Sequence, residues 1–474
     1  MPDPVVILGA GPAGLACAHR LVKDSEKKVI LIDKARVVGG AGASFRWKGH
    51  ILDYGPHAFH ARGDEPEKLV RSLFDSDPTL LIEGHKRVHV YLKRKRFRYP
   101  LQVREALLKF NPLLSLRIML EFSVTSLFHA IVSIPIENFE NWGRKRFGPT
   151  LYRMSFGDYT EKVWKTKAVQ ISEKFAAEKI QGFSFINLLK KLLRIGGQVT
   201  EPYYQSWIYH RFGSGQIYET LAAEVSASGG QILLGCDIRS IESEGRRVLS
   251  VAVEHNGTAQ RLKCSSLVST IALPQLVELM GDATPFSVRH AASKLSYTSL
   301  IMVYIEFDID AVSDDHWFYL LDRQFAFNRV TEQKNLSRFT MEAGKTVLSF
   351  ELTCRLGDEL WCLSDQDLVE LARRDCTHIH FIPSDRITDF LVKRVPNVYE
   401  IYYKNFDQYA DLVLGRVREF ENVVTIGRRG LFLQGDMHQA VEMGLAMGSI
   451  LARETPDPAA ISQFYRRYVK YIDG

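Results

Sequence analysis

Three glycines near the start of the chain have the spacing of a dinucleotide-binding turn. Gly9, Gly11 and Gly14 follow the apolar run Val5 to Leu8, which predicts a buried parallel strand. Gly9 allows the sharp turn, Gly11 lets the backbone approach a pyrophosphate, and Gly14 lets the next helix pack closely on the strand. The pyrophosphate then lies over the helix N-terminus, where free N–H groups favour an anion.

The strand after this helix ends in an acid. Val29 to Ile32 is apolar and is followed directly by Asp33. A carboxylate near this spacing hydrogen-bonds the ribose 2′-hydroxyl of an unphosphorylated adenosine. The motif therefore predicts a dinucleotide site, with an ordinary strand–turn–helix as the alternative. Because FAD and NAD share this unit, the motif does not choose between them.

Two imidazoles lie three positions apart in a segment that breaks regular structure. His57 and His60 directly follow Gly55 and Pro56, which are turn formers. Histidines in a rigid turn beside a cofactor can move protons or orient a substrate. The alternative is that both rings only hydrogen-bond the backbone.

Two further stretches predict elements that could position such residues. Val303 to Cys354 alternates apolar and polar residues, which predicts an antiparallel sheet half-buried over a pocket. Val423 to Leu451 predicts a strand, a loop and a helix, with Asp436 as the cap of the helix. This strand and helix complement the opening strand–turn–helix. Elsewhere the residues predict a strand from Gly230 to Ser243, a type I′ hairpin turn at Asn256-Gly257, and a helix from Ser364 to Arg374 with Ser364 as its cap.

The most hydrophobic stretch, Leu113 to Ile136, contains charged residues and a proline. It therefore falls short of a membrane span. We predict buried helices of a second domain, with a peripheral, monotopic membrane contact as the alternative.

Composition narrows the class of protein. The chain has 474 residues and a formal net charge of +6, a mild excess that permits anionic substrates or a membrane surface. No nucleic-acid-binding motif is visible, so we predict no nucleic-acid partner. The six cysteines have neither metal nor disulfide spacing, which predicts no metal site and a cytoplasmic location. Val5 already begins a strand, so we predict no signal peptide.

Beyond Asp33, the chain resembles FAD-binding proteins of the glutathione-reductase-like and amine-oxidase-like superfamily. DKARVVGGAG is similar to their D/E-K…GG extension, with a flexible surface loop as the alternative. The C-terminal stretch resembles their G-G-R…D-M-x-Q ending, which implies a helix N-terminus at the flavin N1–C2=O edge. The strand with Ile238 corresponds to the one that passes the adenine. The implied cofactor-binding residues are Gly9, Gly11, Gly14, Asp33, Lys34, Gly39, Gly40, Ile238, Gly427, Arg428, Asp436 and Met437.

This resemblance implies an α/β fold class. A Rossmann-like, glutathione-reductase-like FAD-binding domain is discontinuous and is combined with an α+β substrate domain of antiparallel sheet and helices. We predict that the FAD-binding domain comprises residues 1–80, 205–280 and 395–474. The substrate-binding domain, with a helical subdomain, would comprise residues 81–204 and 281–394.

A second resemblance is to the UDP-galactopyranose mutases. YGPHAFHAR resembles their G-P-H-x-F-H turn, DYTEKVW resembles their Y-T-x-K-x-W-G pattern, and WFY with FNRV resembles their sheet. This implies that His57 and His60 lie near flavin N5 and that the Arg329 guanidinium grips a diphosphate. It also implies that Tyr159 and Trp164 line the nucleotide-sugar pocket, since flat rings suit uracil and the apolar face of a sugar.

The candidate site residues retain structural alternatives. Tyr159 and Trp164 could be core aromatics, Arg329 a surface arginine on an edge strand, and Tyr402 a packing residue instead of a phosphate donor. The candidate catalytic residues are His57, His60 and Arg329, and the candidate substrate-binding residues are Tyr159, Trp164, Tyr319 and Tyr402. The chain departs from the mutases at three points: Lys165 replaces a usual glycine, Glu400 replaces a proline, and Phe183 to Gly197 lacks their mobile-loop arginine motif.

These resemblances imply three functions. The first is a mutase-like flavoenzyme acting on a nucleotide-sugar, in which reduced flavin N5 attacks the anomeric carbon and expels the nucleoside diphosphate. NAD(P)H would be its external reductant. The second is an oxidoreductase of the protoporphyrinogen oxidase or amine oxidase type. The third is a binding protein similar to the Rab GDP-dissociation inhibitors, which the intact glycines and Asp33 disfavour. We rank the first narrowly above the second, and the oligomeric state stays open.

Overall fold

The computed structural model describes residues 3–99, 101, 103–132, 135–175 and 206–469. The chain divides into two compact units. The first unit comprises Met1–Glu83, Ser206–Ser296 and Phe406–Gly474, and the second comprises Gly84–Gln205 and Tyr297–Asn405. Two boundaries lie later than the expected 280 and 394, because the helices Phe286–Lys294 and Phe406–Arg418 pack together within the first unit. Phe183 to Gly197, where we expected a departure from the mutases, lies outside the described residues.

A five-stranded parallel sheet forms the centre of the first unit. Its strands, in spatial order, are Gln231–Leu234, Val29–Asp33, Val5–Leu8, Ser266–Ser269 and Val423–Thr425. All four residues of Val5–Leu8 are buried, as expected for a central strand covered on both faces. The parallel sheet with its helices confirms the predicted Rossmann-like α/β class, and it places the segments after Leu8, Asp33, Ser269 and Thr425 at one edge.

Helices of the first unit pack on this sheet and on one another. They are Pro12–Asp24, Glu65–Ser72, Gly215–Ala227, Leu273–Met280, Phe286–Lys294, Phe406–Arg418, Gly427–Gly430, Met437–Ala452 and Pro458–Tyr468. Pro12–Asp24 and Met437–Ala452 run parallel and very close, since a Cβ at Gly444 would lie 2.8 Å from the Ala16 Cβ and one at Gly448 would lie 2.6 Å from the Arg20 Cβ. The opening and closing segments of the chain therefore form one structure.

Smaller sheets complete the first unit. They comprise Ser44–Trp47 with His50–Asp53; Phe59–His60 with Ser206–His210 and Leu81–His85; and Cys236–Glu244 with Arg247–His255 and Thr258–Lys263. The predicted hairpin turn is confirmed: Asn256 and Gly257 have φ of 51° and 74°, as a type I′ turn requires. The strand expected from Gly230 to Ser243 is instead broken at Gly235, whose φ is 64°.

A seven-stranded, mostly antiparallel sheet is the centre of the second unit. In spatial order its strands are Ile387–Glu400, Tyr297–Phe307, Thr346–Cys354, Arg329–Glu332, Trp317–Leu320, Val88–Leu92 and Lys95–Arg98. One face is an apolar core that includes Phe318, Val330 and Phe350. The helix Asp365–His378 packs on this side, and its predicted cap is confirmed because Ser364 accepts the Asp367 N–H.

The remaining helices of the second unit follow the sheet hairpin. Those among the described residues are Val103–Lys109, Pro112–Ile131, Phe139–Phe147, Pro149–Tyr152 and Asp158–Trp164. Our expectation that Leu113 to Ile136 forms buried helices is wrong for one face of Pro112–Ile131: its outward side chains, Leu113 and Ile131 among them, are exposed. Within the part of the chain that the structure describes, we find no helix with the length and apolar character of a membrane span.

Candidate functional site

Gly14 and Gly11 of the glycine turn have different surroundings. A Cβ at Gly14 would collide with the Gly9 carbonyl oxygen, so this position brings helix and strand together. A Cβ at Gly11 would meet no described atom within 4 Å. The helix Pro12–Asp24 starts directly after Gly11, with a proline in its first turn. The free N–H groups of this helix N-terminus and the room beside Gly11 together suit an anion.

Asp33 ties this turn to the neighbouring strand. Its Oδ2 accepts the Ala10 N–H at 2.7 Å and its Oδ1 accepts the Ala35 N–H at 2.8 Å. Each carboxylate oxygen can accept a second hydrogen bond. The acid therefore fixes the backbone of the turn and keeps acceptor capacity for a ribose hydroxyl.

The segment around Gly39 and Gly40 returns to the glycine turn. The Gly39 N–H donates to the Ala10 carbonyl oxygen at 2.8 Å, and Gly39 has a φ of 97°. A Cβ at Gly40 would lie 3.3 Å from the Gly11 Cα. This loop is thus hydrogen-bonded against the turn, which disfavours the surface-loop alternative, although the Lys34 side chain is exposed.

The strand that carries Ile238 begins next to the same loop. The Gly235 N–H donates to the Ala35 carbonyl oxygen at 2.8 Å, directly before the strand Cys236–Glu244. Ile238 is half-buried and lies opposite Val253 at a register shift. Its placement is compatible with the predicted passage beside an adenine, which stays a prediction.

The closing helix reaches the glycine loop. A Cβ at Gly42 would collide with the Tyr218 ring and lie 2.9 Å from the Met437 Sδ. The Tyr218 hydroxyl contacts the same sulfur at 3.2 Å. At the other end of the preceding loop, Gly427 has a φ of 78°, and a Cβ there would lie 2.9 Å from the Ala13 Cβ. Arg428 is half-buried in the short helix that starts at Gly427.

Asp436 is the predicted cap of the closing helix and also the centre of a charged cluster. It forms a capping box with Gln439, in which the Asp436 Oδ1 accepts the Gln439 backbone N–H at 2.9 Å. Its Oδ2 lies 3.4 Å from the His60 Nε2 and 3.3 Å from the Arg62 Nη2. The predicted histidine turn and the predicted capping acid therefore meet at one helix N-terminus.

Sequence reasoning missed three members of this cluster, namely Arg62, Asp64 and His438. Arg62 follows the histidine turn by two residues, and Asp64 caps the next helix. His438 is buried, with its Nδ1 3.0 Å from the His60 carbonyl oxygen and its Nε2 2.7 Å from the Asp64 Oδ2. The pattern Asp-Met-His at the start of the closing helix could have indicated a role for His438, but only the packing shows that His438 restrains the backbone at His60. The His57 N–H donates to the Gly55 carbonyl oxygen at 2.9 Å.

These residues fit a flavin adenine dinucleotide. The open space beside Gly11 is the cradle that a Cβ would fill, and it lies at the N-terminus of the helix Pro12–Asp24. Asp33 retains acceptor capacity for a ribose, and the helix Met437–Ala452 presents a second positive end. The first unit thus has separate features for a pyrophosphate, a ribose and a ring that gains negative charge.

A buried acid beneath the glycine loop makes the stability of the fold depend on pH. Asp53 accepts from the Ser44 and Tyr209 hydroxyls, each at 2.6 Å, and Ser214 connects it to Gly42. Burial is the largest influence, and it raises the pKa of Asp53 from 3.8 to about 6 despite these bonds. The folded state therefore binds a proton between these two values that the unfolded state has lost.

Stability contributed by protonated Asp53 is present below about pH 4 and is lost as the pH rises through about 6. We compare the unfolding free energy of Asp53→Asn with that of the wild type at pH 4 and at pH 7. The difference in favour of the variant should be about 2–3 kcal/mol larger at pH 7, because the amide stays neutral while the carboxyl of the wild type ionises. Urea unfolding at both pH values measures this change. Asp75→Asn, at an exposed carboxyl, is the control. A difference between Asp53→Asn and wild type that does not vary with pH would refute the assignment.

In the second unit, a polar row crosses the face of the sheet opposite its apolar core. Tyr319 pairs with Arg329, and Arg329 pairs with Glu351, on adjacent strands. The Arg329 Nε and Nη2 donate to the two Glu351 carboxylate oxygens, each at 2.7 Å. The rings of Tyr99 and Tyr159 lie 5.0 and 6.1 Å from that of Tyr319. Sequence reasoning missed Glu351 and Tyr99.

The charge state of this polar row is set by burial and by the ion pair. Burial, with help from Tyr319, raises the pKa of Tyr159 well above its usual value. Burial opposes the charge on Arg329, but Glu351 outweighs it, so the pKa of Arg329 lies well above its usual value. At neutral pH this face presents a protonated tyrosine hydroxyl and a fixed guanidinium, a set that suits anionic oxygen atoms.

Two other predicted pocket residues lie inside the second unit. The buried Trp164 ring packs against Phe175 and Tyr399, with ring centroids 5.2 and 6.1 Å away. Tyr402 is fully buried, and its carbonyl oxygen accepts the Ser172 N–H at 2.8 Å. The structure does not bring either side chain into the polar row, so their roles in substrate binding stay predictions.

The helix of the Y-T-x-K-x-W pattern shows the conformation at one point where the chain departs from the mutases. Lys165, which replaces a usual glycine, ends this helix with a φ of 50°. A left-handed conformation favours glycine, and a lysine there costs about 1–2 kcal/mol. Earlier in the helix, Lys162 donates to the Leu320 and Phe327 carbonyl oxygens at 2.6 and 2.9 Å. These hydrogen bonds fix the loop that leads to Arg329, and burial lowers the pKa of Lys162 to about 7.

Comparisons with known proteins agree with this geometry. Structures similar to the chain include a reduced UDP-galactopyranose mutase, with 17% identity, a TM-score of 0.83 and coverage of 98% of both chains. A proposed protoporphyrinogen oxidase from Exiguobacterium sp. 255-15 has 16% identity and a TM-score of 0.72 over 96% of this chain and 100% of that one. Putrescine oxidase bound to putrescine has 15% identity and a TM-score of 0.62 over 96% and 100%. These likenesses show the fold.

A comparison with curated protein sequences gave no match. The family model for flavin-containing amine oxidoreductases matches residues 12–447, most of the chain. That match includes the helix after the glycine turn and most of the closing helix, and it implies FAD as the cofactor. The chain belongs to the flavin-containing amine oxidoreductase family and is a FAD-dependent enzyme of the amine oxidase superfamily.

Proposed function

We propose that this flavoenzyme is of the mutase type and acts on a nucleotide-sugar. The observation that carries the proposal is the polar row of the second unit, in which Glu351 holds the Arg329 guanidinium beside Tyr319 and Tyr159. A nucleoside diphosphate offers anionic oxygens to the guanidinium, and its base and sugar offer flat surfaces to the rings. The likeness in fold to a reduced UDP-galactopyranose mutase supports this choice.

Each group of residues has a proposed task. Bound FAD supplies a ring that, once reduced, can act as a nucleophile. Arg329 binds the diphosphate and keeps its charge through Glu351. The Tyr159 and Tyr319 hydroxyls orient the substrate through hydrogen bonds. In the first unit, Asp436 restrains His60, and we assign His57 and His60 to contacts with the sugar.

Isomerisation of a nucleotide-sugar by the reduced protein tests the proposal. The purified holoenzyme is reduced anaerobically with dithionite and incubated with UDP-galactopyranose and a panel of other nucleotide-hexoses. Chromatography is expected to detect an isomer that the oxidised enzyme does not form. Replacing dithionite by NADH or NADPH tests our proposal that a nicotinamide is the external reductant. Failure to isomerise any member of the panel would contradict a mutase function.

The second candidate is an oxidoreductase that passes electrons from an amine or a porphyrinogen to the flavin. The family match and the putrescine oxidase fold favour it. Hydrogen peroxide released in air with such a substrate, without isomerisation of any nucleotide-sugar, would select this candidate. For either function we propose the cytoplasm as the compartment, on the spacing of the cysteines.

A further inference from the structure

The helix Pro112–Ile131 carries an exposed apolar stripe along its whole length. The stripe consists of Leu113, Leu116, Leu120, Val124, Leu127 and Ile131, and each of these side chains is more than half exposed, from 54% to 78%. Spacings of three and four residues place them on one face of the helix. The stripe extends over about 27 Å at the rise of an α-helix. Isolated exposed leucines are common, but a continuous row of this size indicates an interaction surface.

The opposite face of this helix is fixed to the second unit. Ile118 is buried. Glu121 accepts the Thr150 N–H at 2.8 Å and the Thr150 hydroxyl at 2.9 Å. A Cβ at Gly148 would lie 3.3 Å from the Phe122 backbone nitrogen. Because these contacts fix the rotation of the helix about its axis, the stripe faces outward, where a surface helix normally has polar side chains.

A basic hairpin lies at the start of the stripe. Lys93 and Arg94 form the turn between Val88–Leu92 and Lys95–Arg98, and the Lys93, Arg94, Lys95 and Arg98 side chains are exposed. The Phe97 ring packs 5.4 Å from that of Phe110, directly before the helix. The Lys109 Nζ also donates to the Arg96 carbonyl oxygen at 2.7 Å. These contacts hold the charges beside the apolar stripe.

Acidic groups near the hairpin are already engaged. Glu105 pairs with Lys109 at 2.6 Å, and Asp322 accepts the Lys93 backbone N–H at 2.7 Å. At the side of the stripe, Arg117 pairs with Glu121, and the Arg117 side chain remains 67% exposed. The surface therefore combines an apolar row with a positive patch at one end, and both belong to the second unit.

We propose that this surface docks on an anionic phospholipid membrane. The helix would lie in the plane of the membrane, with the stripe at the boundary of headgroups and acyl chains and the hairpin against lipid phosphates. The positive patch argues for this occupant over a second copy of the chain, since the stripe of a second copy offers only apolar side chains, whereas anionic lipid offers phosphates to the hairpin and acyl chains to the stripe. The proposal does not depend on which reaction the enzyme catalyses.

Vesicle flotation of the full-length holoenzyme tests this docking. We expect strong binding to vesicles of phosphatidylcholine mixed with phosphatidylserine and weaker binding to phosphatidylcholine alone. Leu116→Ser/Leu120→Ser/Leu127→Ser should weaken binding to the mixed vesicles at least about tenfold, because it removes apolar area from the stripe. Lys93→Ala/Arg94→Ala/Lys95→Ala should weaken binding to the mixed vesicles by about fivefold per charge, and raised salt should reproduce this loss.

A matched control removes three exposed leucines elsewhere. Leu249, Leu356 and Leu412 are 45%, 55% and 46% exposed, and their triple serine variant should bind the mixed vesicles as the wild type does. Equal flotation of the stripe variant and the wild type would overturn the proposal. A wild-type dimer that ignores vesicles and that the stripe variant converts to a monomer in light scattering would also overturn it, and would assign the stripe to a second copy.

Discussion

Replacing Arg329 by methionine is expected to lower the unfolding free energy by about 3–5 kcal/mol. The guanidinium forms two hydrogen bonds of 2.7 Å with Glu351, whose side chain is only 4% exposed. Methionine has a similar length but leaves this buried carboxylate without its charged partner. Urea unfolding of the wild type and the variant measures the difference.

A surface arginine provides the control for this prediction. Arg323 pairs with Asp158 at 2.9 Å and with Glu161 at 2.7 Å, but its side chain is 53% exposed. Arg323→Met should therefore cost no more than about 1 kcal/mol. Arg329→Met/Glu351→Gln should recover most of the lost stability, because the buried charge is gone. Equal losses for the two arginine variants would contradict a buried, stabilising pair.

The recovered double variant separates binding from folding. If Arg329 holds a diphosphate, Arg329→Met/Glu351→Gln should bind UDP at least about tenfold more weakly than the wild type, since a charged hydrogen bond is worth about 1.5–3 kcal/mol. Calorimetric titration of the folded protein measures the affinity. Unchanged UDP binding would remove Arg329 from the proposed substrate site and would leave the stability prediction intact.

The second large effect is expected at Gly11. Gly11→Ala should lower the affinity for FAD by about 1–3 kcal/mol, or about 5–150-fold, because the methyl group enters the space assigned to the pyrophosphate. In the structure the added Cβ meets no described atom within 4 Å, so the apoprotein should fold as the wild type does. The flavin-to-protein absorbance ratio and the melting temperature of the apoprotein report the two outcomes separately.

Alanine substitutions at two other glycines serve as comparisons for Gly11→Ala. Gly14→Ala should fail to fold, because its Cβ would collide with the Gly9 carbonyl oxygen. Gly415 lies in the helix Phe406–Arg418, and a Cβ there also meets nothing within 4 Å, so Gly415→Ala should retain FAD. Full retention of FAD by Gly11→Ala would show that the pyrophosphate does not lie beside this glycine.

The sequence predicted the parts of the fold whose signals are local. The apolar strands, the glycine turn and the Asp436 cap each lie within a short window, and the structure assembles them at one edge of a parallel sheet. The same holds for the Asn256-Gly257 hairpin, where only residues tolerant of positive φ form the turn.

Features that depend on pairing between distant residues were not predictable. Glu351 lies 22 residues after Arg329 and becomes its neighbour only through the strand register, which no local pattern encodes. His438 likewise becomes a neighbour of the histidine turn only through tertiary packing, because it lies near the other end of the chain. The apolar stretch Leu113 to Ile136 has the composition of a buried helix, and composition does not distinguish a face that packs from one that stays exposed.

The most direct test of the central claim is the flavin content of the purified chain. Acid-released cofactor, identified by chromatography and quantified by absorbance, should be FAD at one molecule per chain. The cradle beside Gly11 and the two helix N-termini require this result. A folded chain that stays colourless after incubation with excess FAD would contradict the account.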